Sequence, residues 1–129
     1  MNARDENDLA KIVWDSSLKV HRTFGPGLLE NSYQECLMYE LRKQGLLVEK
    51  EKGLPLIYEE VKLDVGYRID LMVENKLVIE VKAVEALNDI HLAQILTYLK
   101  LSNCKLGILV NFNVTLLKSG FRRVINGIL

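Results

Sequence analysis

The stretch DLMVENKLVIEVK, residues 70 to 82, decides how this chain is to be read. Two apolar, β-branched arms flank Glu74, Asn75 and Lys76, whose polar character suits a turn, so the segment is expected to be a β-hairpin. Three charged residues interrupt its apolar arms: Asp70, Glu80 and Lys82. Side chains alternate along a strand, which puts Glu80 and Lys82 on one face with Val78 and Val84, and Leu77, Ile79, Val81 and Ala83 on the other. On the first arm Asp70 shares its face with Arg68 and Met72, opposite Tyr67, Ile69, Leu71 and Val73. A three-residue turn pairs Val73 with Leu77 and sets Asp70 directly across from Glu80, with Lys82 on the diagonal. A two-residue turn would put the two acids on different faces. With the longer turn their Cβ atoms stand roughly 5 Å apart, where like charges are destabilising. A divalent cation between them would account for the pair.

The remainder of the chain sets the context. With 129 residues, 49% of them apolar and 26% charged, the sequence is expected to form one domain with an ordinary globular core. No apolar run is long enough to span a bilayer, and MNARDENDLA is too polar for a signal peptide, so a cytoplasmic location without a membrane partner is expected. Cys36 and Cys104 lie far apart in mostly apolar segments and read as free buried thiols. Net charge is zero, which lacks the basic excess of strong nucleic-acid binders. The charge is nevertheless uneven. No acid follows Asp89, whereas Lys100, Lys105, Lys118, Arg122 and Arg123 give the last forty residues a charge of +5. Such a gradient fits either a footprint for a polyanion, with Lys118, Arg122 and Arg123 as its holding residues, or a solvated face balanced by the acidic first half.

Residues 5 to 23 have helical spacing, with Leu9, Ile12, Val13, Ser16, Leu18 and Val20 around Trp14, and Phe24-Gly25-Pro26-Gly27 ends the pattern. A second helix is expected from about Leu28 to Gln44, burying Leu29, Tyr33, Cys36, Leu37, Tyr39 and Leu41 and stopping at Gly45. Strand-like runs between Leu46 and Val65 precede the hairpin. A third helix covers about Leu87 to Leu101, and KLGILVNF reads as a strand buried on both faces. The tail TLLKSGFRRVING is ambiguous. This order gives an α/β domain with a mixed sheet, the third helix forming a crossover if the last strand runs parallel to the second hairpin arm. On that helix His91, Gln94 and Tyr98 form a polar stripe beside Leu92, Ile95, Leu96 and Leu99. The stripe fits a cleft bordering Glu80 and Lys82, and equally the boundary of an amphipathic helix. Glu30, in the first turn of the second helix, is accounted for by the helix dipole alone.

Two carboxylates and a strand carbonyl make an all-oxygen site of the kind that suits Mg²⁺. A metal there would polarise a phosphate and lower the pKa of water, and an adjacent lysine would offset charge developing on phosphoryl oxygens. No histidine pair or cysteine cluster favours zinc.

Asp70 followed by Glu80-Val81-Lys82 resembles the signature of the PD-(D/E)XK nuclease superfamily. QILTY, from Gln94 to Tyr98, resembles the QxxxY helix motif of its exonuclease branch. GLLENSY, from Gly27 to Tyr33, resembles the GxxExxY signature of a group of small bacterial proteins assigned to the same fold. The likeness spans about Asp8 to Ile125. It implies a restriction-endonuclease-like αβββαβ core with a mixed sheet flanked by helices. It also implies metal held by Asp70, Glu80 and the carbonyl of Val81, with Lys82 catalytic and Mg²⁺, or Mn²⁺ in its place, as cofactor. Glu30 would join as an additional acidic ligand, and Gln94 and Tyr98 would position substrate or water. The activity implied is hydrolysis of phosphodiester bonds, with nucleic acid, DNA foremost, as partner. The competing reading is a non-catalytic module that keeps the scaffold to bind nucleic acid or protein. A homodimer would enlarge the small surface available for gripping a duplex.

Overall fold

The computed structural model describes residues 3–129. Its elements are α1 (Glu6–Phe24), α2 (Glu30–Lys43), β1 (Val48–Tyr58), β2 (Val61–Val73), β3 (Leu77–Lys82), α3 (Asp89–Ser102), β4 (Leu106–Asn111), a 3₁₀ helix (Leu117–Gly120) and β5 (Phe121–Ile125). The five strands form one sheet in sequential order. β1, β2 and β3 are antiparallel neighbours, β3 and β4 are parallel with α3 as the crossover, and β5 returns antiparallel to β4. The fold is α/β and restriction-endonuclease-like, as expected, with a fifth strand where the sequence left the tail open.

Local chemistry sets the helix ends. Asp5 caps α1, its carboxylate accepting from Asp8 N at 2.8 Å while Asp8 accepts from Asp5 N at 3.1 Å, a reciprocal box that satisfies otherwise orphaned donors. Asn88 caps α3 by accepting from the amides of Ile90 and His91. His91 Nδ1 accepts from Asn88 N in return, so this residue of the expected polar stripe is spent on the cap. Within α2, Leu29 and Tyr39 are exposed rather than buried. Leu29 is the N-cap residue, and Tyr39 faces outward with Lys43 Nζ 5.5 Å from its ring centre.

The sheet divides two apolar layers. On one side Leu9, Val13, Tyr33, Leu37 and Leu41 of α1 and α2 pack on Leu71, Val73, Leu77, Ile79, Val81, Ile108 and Val110. On the other, Ile95 and Leu99 of α3 pack on Met72, Val78 and Leu109. The alternation inferred for β3 therefore holds, and Glu80 and Lys82 belong to the α3 side. Ile69 departs from expectation, joining Leu54 and Met72 in the α3-side layer. The strands lose regularity there, with Glu51, opposite Asp70 in register, at φ +51°. Leu92, assigned to the apolar stripe of α3, is also exposed.

β1 and β2 make one long hairpin, and only Leu71 to Val73 of β2 are paired with β3. The strand-like runs before the acidic hairpin are thus the outer part of that same sheet. Among the described residues no helix is long and apolar enough to cross a membrane. Cys36 and Cys104 are free thiols, the first half-buried and the second buried. At the far end, the 3₁₀ helix presses on β4: a Cβ added at Gly120 would collide with the backbone oxygen of Asn111. Because backbone cannot swing aside as a side chain can, Gly120→Ala is expected to cost about 3 kcal/mol, measurable as a shift of the urea midpoint at unchanged slope.

Candidate active site

The hairpin turn has three residues. Leu71 pairs with Ile79, Met72 with Val78 and Val73 with Leu77, Glu74 and Asn75 adopt φ of +53° and +55°, and Lys76 N donates to Val73 O at 3.0 Å. Continuing this register sets Asp70 opposite Glu80. Side chains replace the regular ladder at that point. Asp70 N donates to Glu80 Oε1 at 3.3 Å, and Val81 N donates to Asp70 Oδ2 at 2.8 Å. Each carboxyl group is anchored on the other residue's strand, and that anchoring brings the acids together.

Glu80 is 3% exposed. Burial first, and the negative charge and carboxyl contact of Asp70 second, push its pKa up to about 9; the charge of Lys82 offsets this only in part. Two carboxylates this close resist joint ionisation, and one keeps a proton at neutral pH. Lys82, half-buried, donates to Gln94 Oε1 at 3.3 Å, and Gln94 Nε2 donates to the Tyr98 hydroxyl at 3.1 Å. Burial, with the charge of Glu80 second, also raises the Tyr98 pKa, so its hydroxyl stays protonated at neutral pH. The motif residues of α3 thus run from the ammonium of Lys82 through an amide to a phenol lying against Tyr67, ring centres 6.2 Å apart.

Glu30 reaches the sheet, which the residues alone gave no reason to expect. Its Oε2 accepts from Ala83 N at 3.3 Å, one residue past Lys82. Among the described residues no three His, Cys, Asp or Glu side chains gather where one metal ion could be held. Glu30 thus stands at the end of β3, on the amide that follows Lys82. The segment around Glu30 is self-braced. Gly27 turns the chain at φ +114°, and the Tyr33 hydroxyl accepts from Leu28 N at 3.1 Å and donates to Gly25 O. The Tyr33 ring stacks on Phe112 at 4.5 Å.

The donor set fits a hard divalent cation. It is all oxygen, and the two carboxyl groups are each anchored on the other's strand. The three basic residues expected to hold a polyanion do not form one patch. Register puts Arg122 beside Leu109 on the α3 side. Arg123 lies on the α1 side, where its Nη2 donates to Asn7 Oδ1 at 2.6 Å. Lys118 is exposed in the 3₁₀ helix. Sequence reasoning gave no role to Asn111, the last residue of β4, whose buried amide bonds to Val84 beside the site.

The mixed sheet thus carries paired acids on neighbouring strands and a lysine at the end of β3, opposite a helix that supplies an amide and a phenol. The family model of the PD-(D/E)XK nuclease superfamily matches residues 7–124. The chain belongs to that superfamily. Neither a curated protein nor a solved structure matches it.

Proposed function

We propose that this protein is a metal-dependent nuclease that hydrolyses phosphodiester bonds in DNA, from the GxxExxY group of its superfamily. The observation that carries the reading is the acid pair, tied strand to strand through Val81 N and Asp70 N, with Lys82 held beside it by Gln94. Asp70, Glu80 and the carbonyl of Val81 would hold Mg²⁺, or Mn²⁺ as a substitute, and the ion would supply Lewis acidity toward the phosphate and acidify water. Hydrolysis adds water oxygen to phosphorus, breaks one P–O ester bond and leaves a phosphate monoester and a hydroxyl. Lys82 offsets the charge that grows on the phosphoryl oxygens, while Gln94 and Tyr98 orient the ammonium and offer polar groups to water or substrate. The GxxExxY assignment draws support from what its residues do: Gly27 and Tyr33 brace the loop that delivers Glu30 to Ala83.

The separation of Arg122 from Arg123 favours the competing reading, a binding module on a nuclease scaffold, because a duplex needs a continuous cationic track. Dimerisation, by pooling two surfaces, would restore one. Labelled single-stranded, duplex and branched DNAs, incubated with Mg²⁺ or Mn²⁺ and with EDTA, separate the two. Metal-dependent cleavage of at least one substrate is expected. Metal binding without cleavage of any of them would establish the module.

A further inference from the structure

Glu80 and Lys82 lie at the end of β3, with Asp70 across from Glu80 on β2, and a free strand end there would fray. Five hydrogen bonds prevent that, all directed at the main chain of the three residues that follow Glu80-Val81, the longest of them from Asn113 Nδ2 to Val84 O at 3.4 Å. Phe112 N donates to Lys82 O at 3.0 Å, Glu30 accepts from Ala83 N, and the Asn111 side chain takes Val84 from both sides. Its Oδ1 accepts from Val84 N at 3.0 Å and from Asn113 N at 3.2 Å, and its Nδ2 donates to Val84 O at 2.9 Å. Asn111 is 1% exposed and lies in parallel register with Lys82, so its amide plane spans the gap left where β3 turns away toward α3. Gly120 packs against its backbone oxygen from behind. The amide carries its acceptor and its donor on two atoms, so one side chain meets Val84 N and Val84 O at once. Aspartate keeps the acceptor and loses the donor, and alanine loses both.

We infer that Asn111 is a positioning residue of the nuclease site: it fixes the main chain immediately after Lys82, so that the ammonium stays beside the acids and Ala83 N stays on Glu30. This rests on the proposed nuclease reading for its catalytic consequence but not for its structural one. The residue touches none of the reacting groups, so its effect must appear in turnover and not in binding. Asn111→Ala is expected to lower kcat about tenfold or more with KM within about twofold of wild type. Amide exchange at Ala83 and Val84 should quicken at least about tenfold while Ile108, in the middle of β4, stays protected. Asn111→Asp, which keeps the acceptor to Val84 N, should show slow exchange there and an intermediate kcat; it carries the test alone if the alanine variant does not fold.

Wild-type protein that cleaves no substrate with Mg²⁺ or Mn²⁺ would overturn the nuclease reading, and exchange would then decide the anchoring by itself. Unchanged exchange at Val84 in Asn111→Ala would overturn the inference. So would a rise in KM matching the fall in kcat, or exchange that quickens equally at Ile108.

Discussion

Glu80→Gln is expected to stabilise the metal-free protein by about 2 kcal/mol near pH 8 and to flatten its stability against pH. In the folded chain the Glu80 carboxyl titrates at about 9, against 4.5 for an unperturbed group, chiefly because it is buried and secondly because Asp70 is beside it. Between those values the folded state holds a proton that the unfolded state has released. Stability from this group is therefore complete below about pH 4.5 and is lost as pH rises toward about 9, at most about 1.4 kcal/mol per unit. Sharing of the proton within the pair roughly halves that slope, and over the interval from 4.5 to pH 8 this sets the figure of about 2 kcal/mol. Glutamine is neutral at every pH and can donate to Asp70 as the protonated acid does. Urea unfolding in EDTA at acidic, neutral and alkaline pH measures this directly, and a wild-type stability that stays level across the range would refute the buried pair. Mg²⁺ should act in the opposite sense to pH, stabilising wild type by mass action more at pH 8 than at pH 5 and leaving Glu80→Gln little changed. Asp70→Asn should be at least as stable as wild type without metal, because its side-chain oxygen can still accept from Val81 N.

Lys82→Ala is expected to reduce cleavage on the order of 10³-fold while leaving most DNA affinity, since the ammonium serves the chemical step and one lost phosphate contact barely alters the salt slope. Gln94→Ala, which removes the partner of that ammonium, should cost about tenfold in kcat through misplacement. The structure redistributes the basic residues. Arg122→Ala should weaken binding and flatten its salt dependence, as expected of a cation on the α3 side. Arg123→Ala should leave affinity near wild type, because its guanidinium is on the opposite face with Asn7. Single-turnover cleavage together with fluorescence anisotropy over a salt series distinguishes these outcomes. Equal loss of affinity from Arg122→Ala and Arg123→Ala would mean that nucleic acid wraps both faces of the sheet.

Much of the site was legible in the residues because strand alternation and turn length are local. DLMVENKLVIEVK contains its own alternation. Polar Glu74, Asn75 and Lys76 between two apolar arms point to the turn, and period two sets Glu80 apart from Leu77, Ile79 and Val81. A three-residue turn, one of two lengths the residues allowed, puts Asp70 across from Glu80. The caps at Asp5 and Asn88 and the stop at Gly25 are likewise short-range, and the helices fell where spacing placed them. The outer β1–β2 hairpin was half-read, since its arms lie against each other more than against the core and so leave a weak burial pattern. The tail could not be read at all: Phe121 to Ile125 becomes a strand because the edge of β4 is open to receive it, a fact about β4 and not about the tail.

The sequence by itself determined the hairpin, the shared face of Glu80 and Lys82, and the amphipathic helices, because each follows from periodicities of two or 3.6 residues within one segment. The three-residue turn that sets Asp70 across from Glu80 is seen only in the structure. Tertiary structure alone decided the rest. It brought Glu30 to Ala83 across 53 residues of chain and turned Arg122 and Arg123 to opposite sides of the sheet. It buried Glu80 deeply enough to keep its proton, and it aimed the Asn111 amide at Val84. Each of these depends on which elements pack together, and packing joins residues whose separation along the chain carries no periodic signal.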